Sequence, residues 1–166
     1  MVTAHTENVL GFLAVLVYSA TLLPSSLKVL FPTLKMNAFV QMLLRNQRTI
    51  GIWTFILSMA HICAVVSLHR MNLLRPEFYW QSSSGLLIIT IFTLLTVTSN
   101  NWSIKRLKRN WKRLHSLTYV AALIMPWHIA AKMAGQWTWL TPITVSLPMA
   151  AICFYCIRRY IKADST

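Results

Sequence analysis

Acidic side chains are almost absent from this sequence. Its 166 residues contain three Asp and Glu in total, at Glu7, Glu77 and Asp164, and all three are expected outside the apolar segments. A hydrolase triad would have no carboxylate to orient its base. A proton- or ion-coupled transporter would have no acidic group inside its spans, and no inverted repeat is visible. Two carboxylates at most could reach a metal at one face, too few for a non-heme site. Glycine is scarce as well. The four glycines make no G-x-G-x-x-G or G-x-x-x-x-G-K, so no nucleotide-binding module is recognisable. The three cysteines, Cys63, Cys153 and Cys156, fall in apolar segments and imply no disulfide framework. They are expected as buried thiols, and Cys153-x-x-Cys156 as a redox motif only by spacing.

Charge of either sign is low at 11%, against about 25% in a soluble domain. Hydrophobic residues make up 56%, and mean hydropathy is +0.54. The chain reads as an integral membrane protein, all-α and one helical domain over residues 1–166. No basic stretch precedes the first apolar segment and no small-x-small site follows it, so that segment is expected to remain as a helix. Five segments have about the 20 apolar residues that a span needs: 8–27, ending at the Pro24-Ser-Ser bend, then 49–68, 78–98, 114–134 and 139–157. Phe78, Tyr79 and Trp80 open the third as an interfacial aromatic belt, and Trp137 and Trp139 precede the fifth. Between the first two spans, Leu34, Ala38 and Met42, with Phe39 and Leu43, recur at helical spacing beside Lys35, Gln41 and Arg45. That stretch reads as a helix lying in the interface.

The net charge of +13 does not point to nucleic acid, because the cations cluster between spans rather than in one patch. They fit topology and anionic membrane lipids. Thirteen of the sixteen belong to one side: Lys28, Lys35, Arg45 and Arg48; Lys105, Arg106, Lys108, Arg109, Lys112 and Arg113; Arg158, Arg159 and Lys162. Arg70, Arg75 and Lys132 belong to the other. The positive-inside rule puts the N-terminus outside and the C-terminus in the cytoplasm.

Histidines supply the chemistry. His61 lies thirteen residues past Arg48 and His128 fifteen past Arg113. At about 1.5 Å per residue both are about 20 Å from the cytoplasmic surface, on parallel spans. Such a depth-matched pair can clamp a heme iron axially. The competing reading is a polar contact between helices. His115 lies near the cytoplasmic surface, with Arg109, Lys112 and Arg113 placed to meet propionates. On an ideal helix His115 and His128 would be about 140° apart, unless Pro126 distorts the turn between them. His5 and His69 read as solvated outer histidines.

Arg48-Thr-Ile-Gly51-Ile-Trp53 followed by His61, then Thr98-Ser99, then Trp111-x-x-Leu114-His115-x-x-x-Tyr119 and His128, resemble the ferric-reductase-like transmembrane domain family. Within it the MsrQ-type heme-binding membrane subunits of methionine sulfoxide reductase systems are the nearest in pattern. Leu22-Leu23-Pro24-Ser25 fits their first-helix ending, and the resemblance covers about residues 10–156. It implies heme b and electron transfer across a bacterial inner membrane or an equivalent energy-transducing membrane. His61 and His128 match the outer histidine pair, and His115 one member of the inner pair. The other inner position falls on Gln47, or on Arg48 beside it, so a second heme is expected to be weak. Electrons would enter from a cytoplasmic-side flavoprotein or quinol, with quinone or flavin belonging to a redox partner protein or larger membrane complex. They would leave to an outer-face acceptor. Without a flavin or nicotinamide domain, a complete NADPH oxidase is not expected. The alternative is an accessory or assembly subunit whose histidines serve packing or pigment contact.

Overall fold

A computed structural model describes residues 3–70, 76–133 and 139–164. Arg75 and Trp137 lie outside these, as do the side chains of His5, Glu77, Phe78, Trp80 and Lys162. The described chain is all helical. Its helices are α1 (Thr3–Leu30), α2 (Ala38–Arg45), α3 (Gln47–Leu68), α4 (Pro76–Val97), α5 (Asn101–Leu107), α6 (Arg109–His115), α7 (Leu117–Lys132) and α8 (Leu140–Asp164), with a 3-10 turn over Pro32–Met36. Four stretches are long and apolar enough to cross a membrane: Thr6–Leu30, Gln47–Leu68, Arg109–Lys132 and Leu140–Ile161. The apolar part of α4, Ser82–Val97, is the fifth when taken with α5, from which it is bent by 93°. The protein is an integral membrane bundle.

Three boundaries differ from the sequence reading, each for a local reason. Pro24 does not end α1, which runs on to Leu30. Proline withdraws one N–H from the ladder and disturbs the carbonyls one turn back. Here partners from other helices take nearby carbonyls: the Gln47 amide donates to Thr21 O at 2.6 Å and Arg158 to Ser25 O at 3.1 Å. The basic run 99–113, expected as a connection, is instead α5 and α6. Asn100 makes the sharp corner, its side-chain oxygen capping Ser103 N–H at 2.7 Å and its amide donating to Val97 O at 2.7 Å. The span of His128 takes in α6 as well as α7, running Arg109–Lys132 through Ser116, whose backbone stays right-handed helical, and Pro126 sits inside it. His115 and His128 therefore share one span, thirteen residues apart.

Between the first two spans the helix is α2, capped by Asn37, whose side chain accepts from Phe39 N–H and Val40 N–H. Only Val40 of α2 is buried, and Phe39 and Met42 are exposed. The three cysteines are free and exposed on the outside of the bundle, not buried within it. In a bilayer that surface faces acyl chains.

The five long helices pack in a ring in the order α1, α3, α4, α7, α8 and back to α1. α3 and α7 are thus not neighbours, and α4 stands between them. Successive long helices alternate in direction, so α3 and α7 run parallel. The closed core lies between α1, α4, α7 and α8. Tyr18 packs on Phe92 with ring centroids 5.0 Å apart and donates its hydroxyl hydrogen to Thr118 O. Ala121 and Ala122 of α7 are fully buried beside them. Towards the end where α1 begins, the same ring opens into a cavity.

Candidate functional site

The cavity has a volume of about 480 Å³ and is walled by all five long helices, within the range of about 300–1,000 Å³ usual for ligand sites. His61 from α3 and His128 from α7 both line it. Most of the remaining wall is aliphatic, including Val15, Ile62, Val65, Ile88, Ile89 and Met125. Their equal depth is what helix rise leads one to expect of parallel spans starting from the same end.

Each imidazole is held by a partner on a neighbouring helix. His61 Nδ1 lies 2.8 Å from the Glu7 main-chain oxygen on α1. A carbonyl only accepts, so Nδ1 carries the hydrogen and Nε2 is the basic nitrogen. His128 Nδ1 lies 2.9 Å from Ser84 Oγ on α4. The hydroxyl accepts from Nδ1–H when a ligand occupies Nε2, the arrangement that orients metal-bound histidines. Two glycines make room. A Cβ on Gly11 would come within 3.2 Å of the His61 ring, and one on Gly85 within 2.8 Å of His128 Cε1. At Gly85 any side chain would displace the imidazole. Two imidazoles on non-adjacent helices, lining one largely apolar cavity, would suit a metal macrocycle as its nitrogen ligands.

Glu7 departs from expectation. It lies inside α1, within the first span, and only 9% of it is exposed. Both carboxylate oxygens are 3.1 Å from His69 Nε2, so His69 is a partner of Glu7 rather than a free surface histidine. The ion pair forms when His69 is protonated. Lys132 and Asn8 line the cavity at this same end.

The other predicted residues lie at the opposite end and away from this cavity. His115 Nε2 is 3.2 Å from Thr98 Oγ1, and its ring stacks on Trp111 at 3.9 Å between centroids. The Trp111 indole donates to Thr98 O at 3.0 Å. Gln47 is engaged with α1, as above. Arg48 donates to Asn101 Oδ1 at 2.9 Å, and Arg113 is exposed on α6. His115, Gln47, Arg48 and Arg113 are not among the residues lining the cavity of His61 and His128.

Sequence reasoning passed over Glu7, Gly11, Ser84 and Gly85. A usable signal existed for the glycines. Two of only four fall inside apolar spans at the level of the histidines, where a missing side chain permits close approach.

Comparison with known proteins adds the family. The ferric reductase like transmembrane component family matches residues 10–126, which take in His61 and His115 and stop two residues short of His128. A protein from Yersinia enterocolitica named protein-methionine-sulfoxide reductase heme-binding subunit MsrQ is 31% identical over 114 residues, 62% of this chain and 57% of that one. The Salmonella arizonae protein of the same name is 28% identical over 115 residues, 63% of this chain and 58% of the relative. The aligned part is thus little more than half the length of these relatives. With a family match over most of its length and a helical membrane bundle to fit it, the chain belongs to the ferric reductase like transmembrane component family.

Proposed function

We propose that this protein binds one heme b between His61 and His128 and carries electrons across the membrane as the subunit of a reductase system. One observation carries the reading: two histidines on non-neighbouring helices line a single largely apolar cavity, each with Nδ1 engaged and Nε2 left over. The donor set fits the group. Imidazole pairs are ligands of low-spin b-type heme, and the heme supplies one-electron chemistry when bound. The chain's own share is to fix the His61 tautomer through the Glu7 carbonyl, to anchor His128 Nδ1 on Ser84, to leave room through Gly11 and Gly85, and to exclude water with the aliphatic wall. The names of the relatives support heme and a reductase partner. Electrons enter on the side of the thirteen cations, from a flavoprotein or quinol, and leave near Glu7 and Lys132 to an outer-face acceptor. The membrane is the bacterial inner membrane, with the C-terminus cytoplasmic.

Two experiments test this. His61→Ala and His128→Ala should each abolish the reduced-minus-oxidised α-band in detergent-purified protein, while His115→Ala should keep it. A histidine pair used only for helix packing predicts the same absorbance in all three. For orientation, single cysteines at the exposed positions Lys105 and Arg70 are compared in a background lacking the three native thiols. A membrane-impermeant maleimide on intact cells should label the cysteine at 70 and spare that at 105. The reverse pattern overturns the topology.

A further inference from the structure

The cavity is not equally polar along its length. Lys132 follows His128 by four residues on α7, which places it one turn higher, about 6 Å, on nearly the same face. The polar groups sharing this rim are Glu7 and Asn8 of α1, His69 capping the end of α3, Ser82 of α4, and Thr141 of α8. The opposite end of the cavity, one turn below the histidines, is walled by Val15, Ile88 and Met125. Two hydroxyls also reach that deeper wall but are turned to their own helices: Ser58 donates to Thr54 O at 2.8 Å, and Thr144 to Thr141 O at 2.9 Å. The floor is therefore apolar in effect.

Charge at the rim is divided. The Glu7 carboxylate is directed to His69 on the α3 side. Lys132 is exposed on the α7 side and lines the cavity. A carboxylate of a ligand seated in the cavity finds its cation there, since an anion in this apolar setting is costly unless paired.

From this polarity, and resting on the heme reading above, we infer that Lys132 is the carboxylate-binding residue of the site. It takes a propionate at the rim end, so that the macrocycle's apolar edge points down onto Val15, Ile88 and Met125. Lys132 is a positioning residue. It touches the periphery of the group, not its iron, and it fixes which edge faces the outside.

The test uses the full chain, stripped of heme and reconstituted in detergent with either heme b or its dimethyl ester, which has no carboxylates. Lys132→Gln should weaken binding of heme b about tenfold, the scale of one charge-assisted hydrogen bond. It should leave the affinity for the dimethyl ester unchanged, and Lys132→Arg should restore heme b binding. The midpoint potential of bound heme b should also fall in Lys132→Gln, since a nearby cation favours the ferrous state; a merely structural role would not move it. Equal losses with both macrocycles, or no loss with heme b, would overturn the assignment while leaving the histidine ligands intact. Failure of the unmodified chain to bind either macrocycle would overturn the heme reading itself, and Lys132 with it.

Discussion

The two ends of this bundle carry similar residues and treat them differently. At the end where α1 begins, His61 and His128 reach an open volume of about 480 Å³, and their Nδ1 atoms are tied back to neighbouring helices. At the opposite end, His115 spends its ring on Trp111 and Thr98, and Gln47 spends its amide on Thr21. Between the ends, Tyr18, Phe92, Ala121 and Ala122 close the core. Spacing alone makes a histidine eligible as a ligand. Space beside it and a partner for its other nitrogen are what suit it to the proposed role.

Substitutions can break this contrast. The largest effect is expected at Gly85, where an added Cβ would lie 2.8 Å from His128 Cε1. Gly85→Ala should displace the imidazole, at about 1–3 kcal/mol for overpacking, and lower heme content sharply. Gly11→Ala meets the His61 ring at 3.2 Å and should cost less, with partial heme retention in the same absorbance assay. Gln47→Ala removes the hydrogen bond that ties α3 to the Thr21 carbonyl of α1. It should lower stability by about 1 kcal/mol, read as a lower Tm in detergent, without changing heme content. Gly51 provides the opposite sign: nothing lies within 4 Å of a Cβ built there, so Gly51→Ala should stabilise α3 by about 0.5–1 kcal/mol and leave heme untouched. A fall in heme with Gln47→Ala comparable to that with Gly85→Ala would erase the distinction between the two ends.

The spans were legible in the sequence because a bilayer demands long apolar runs, and these survive local irregularity. His61 and His128 were legible as a level pair because helix rise is constant. What the sequence hid were interactions between helices. Pro24 looks like a terminus, yet α1 runs on to Leu30, with Gln47 and Arg158 from other helices bonded to carbonyls near it. Residues 99–113 look like a charged connection until Asn100 is seen capping α5. Glu7 looks peripheral because it stands near the chain's start, yet α1 carries it into the cavity wall opposite His69. The cysteines were expected inside because apolar sequence was equated with the bundle interior. In a membrane protein the apolar outside is equally available, and they lie there.

The central claim is that one end of the bundle is a heme site and the other is packed protein. Its most direct test is the heme-to-chain ratio of the unmodified protein, with the spin state of the iron taken by electron paramagnetic resonance on the same sample. One low-spin, bis-imidazole heme per chain is the predicted result. Two tightly held hemes per chain would contradict it, since the second would require His115 to leave Trp111 and Thr98 for a ligand position at the other end.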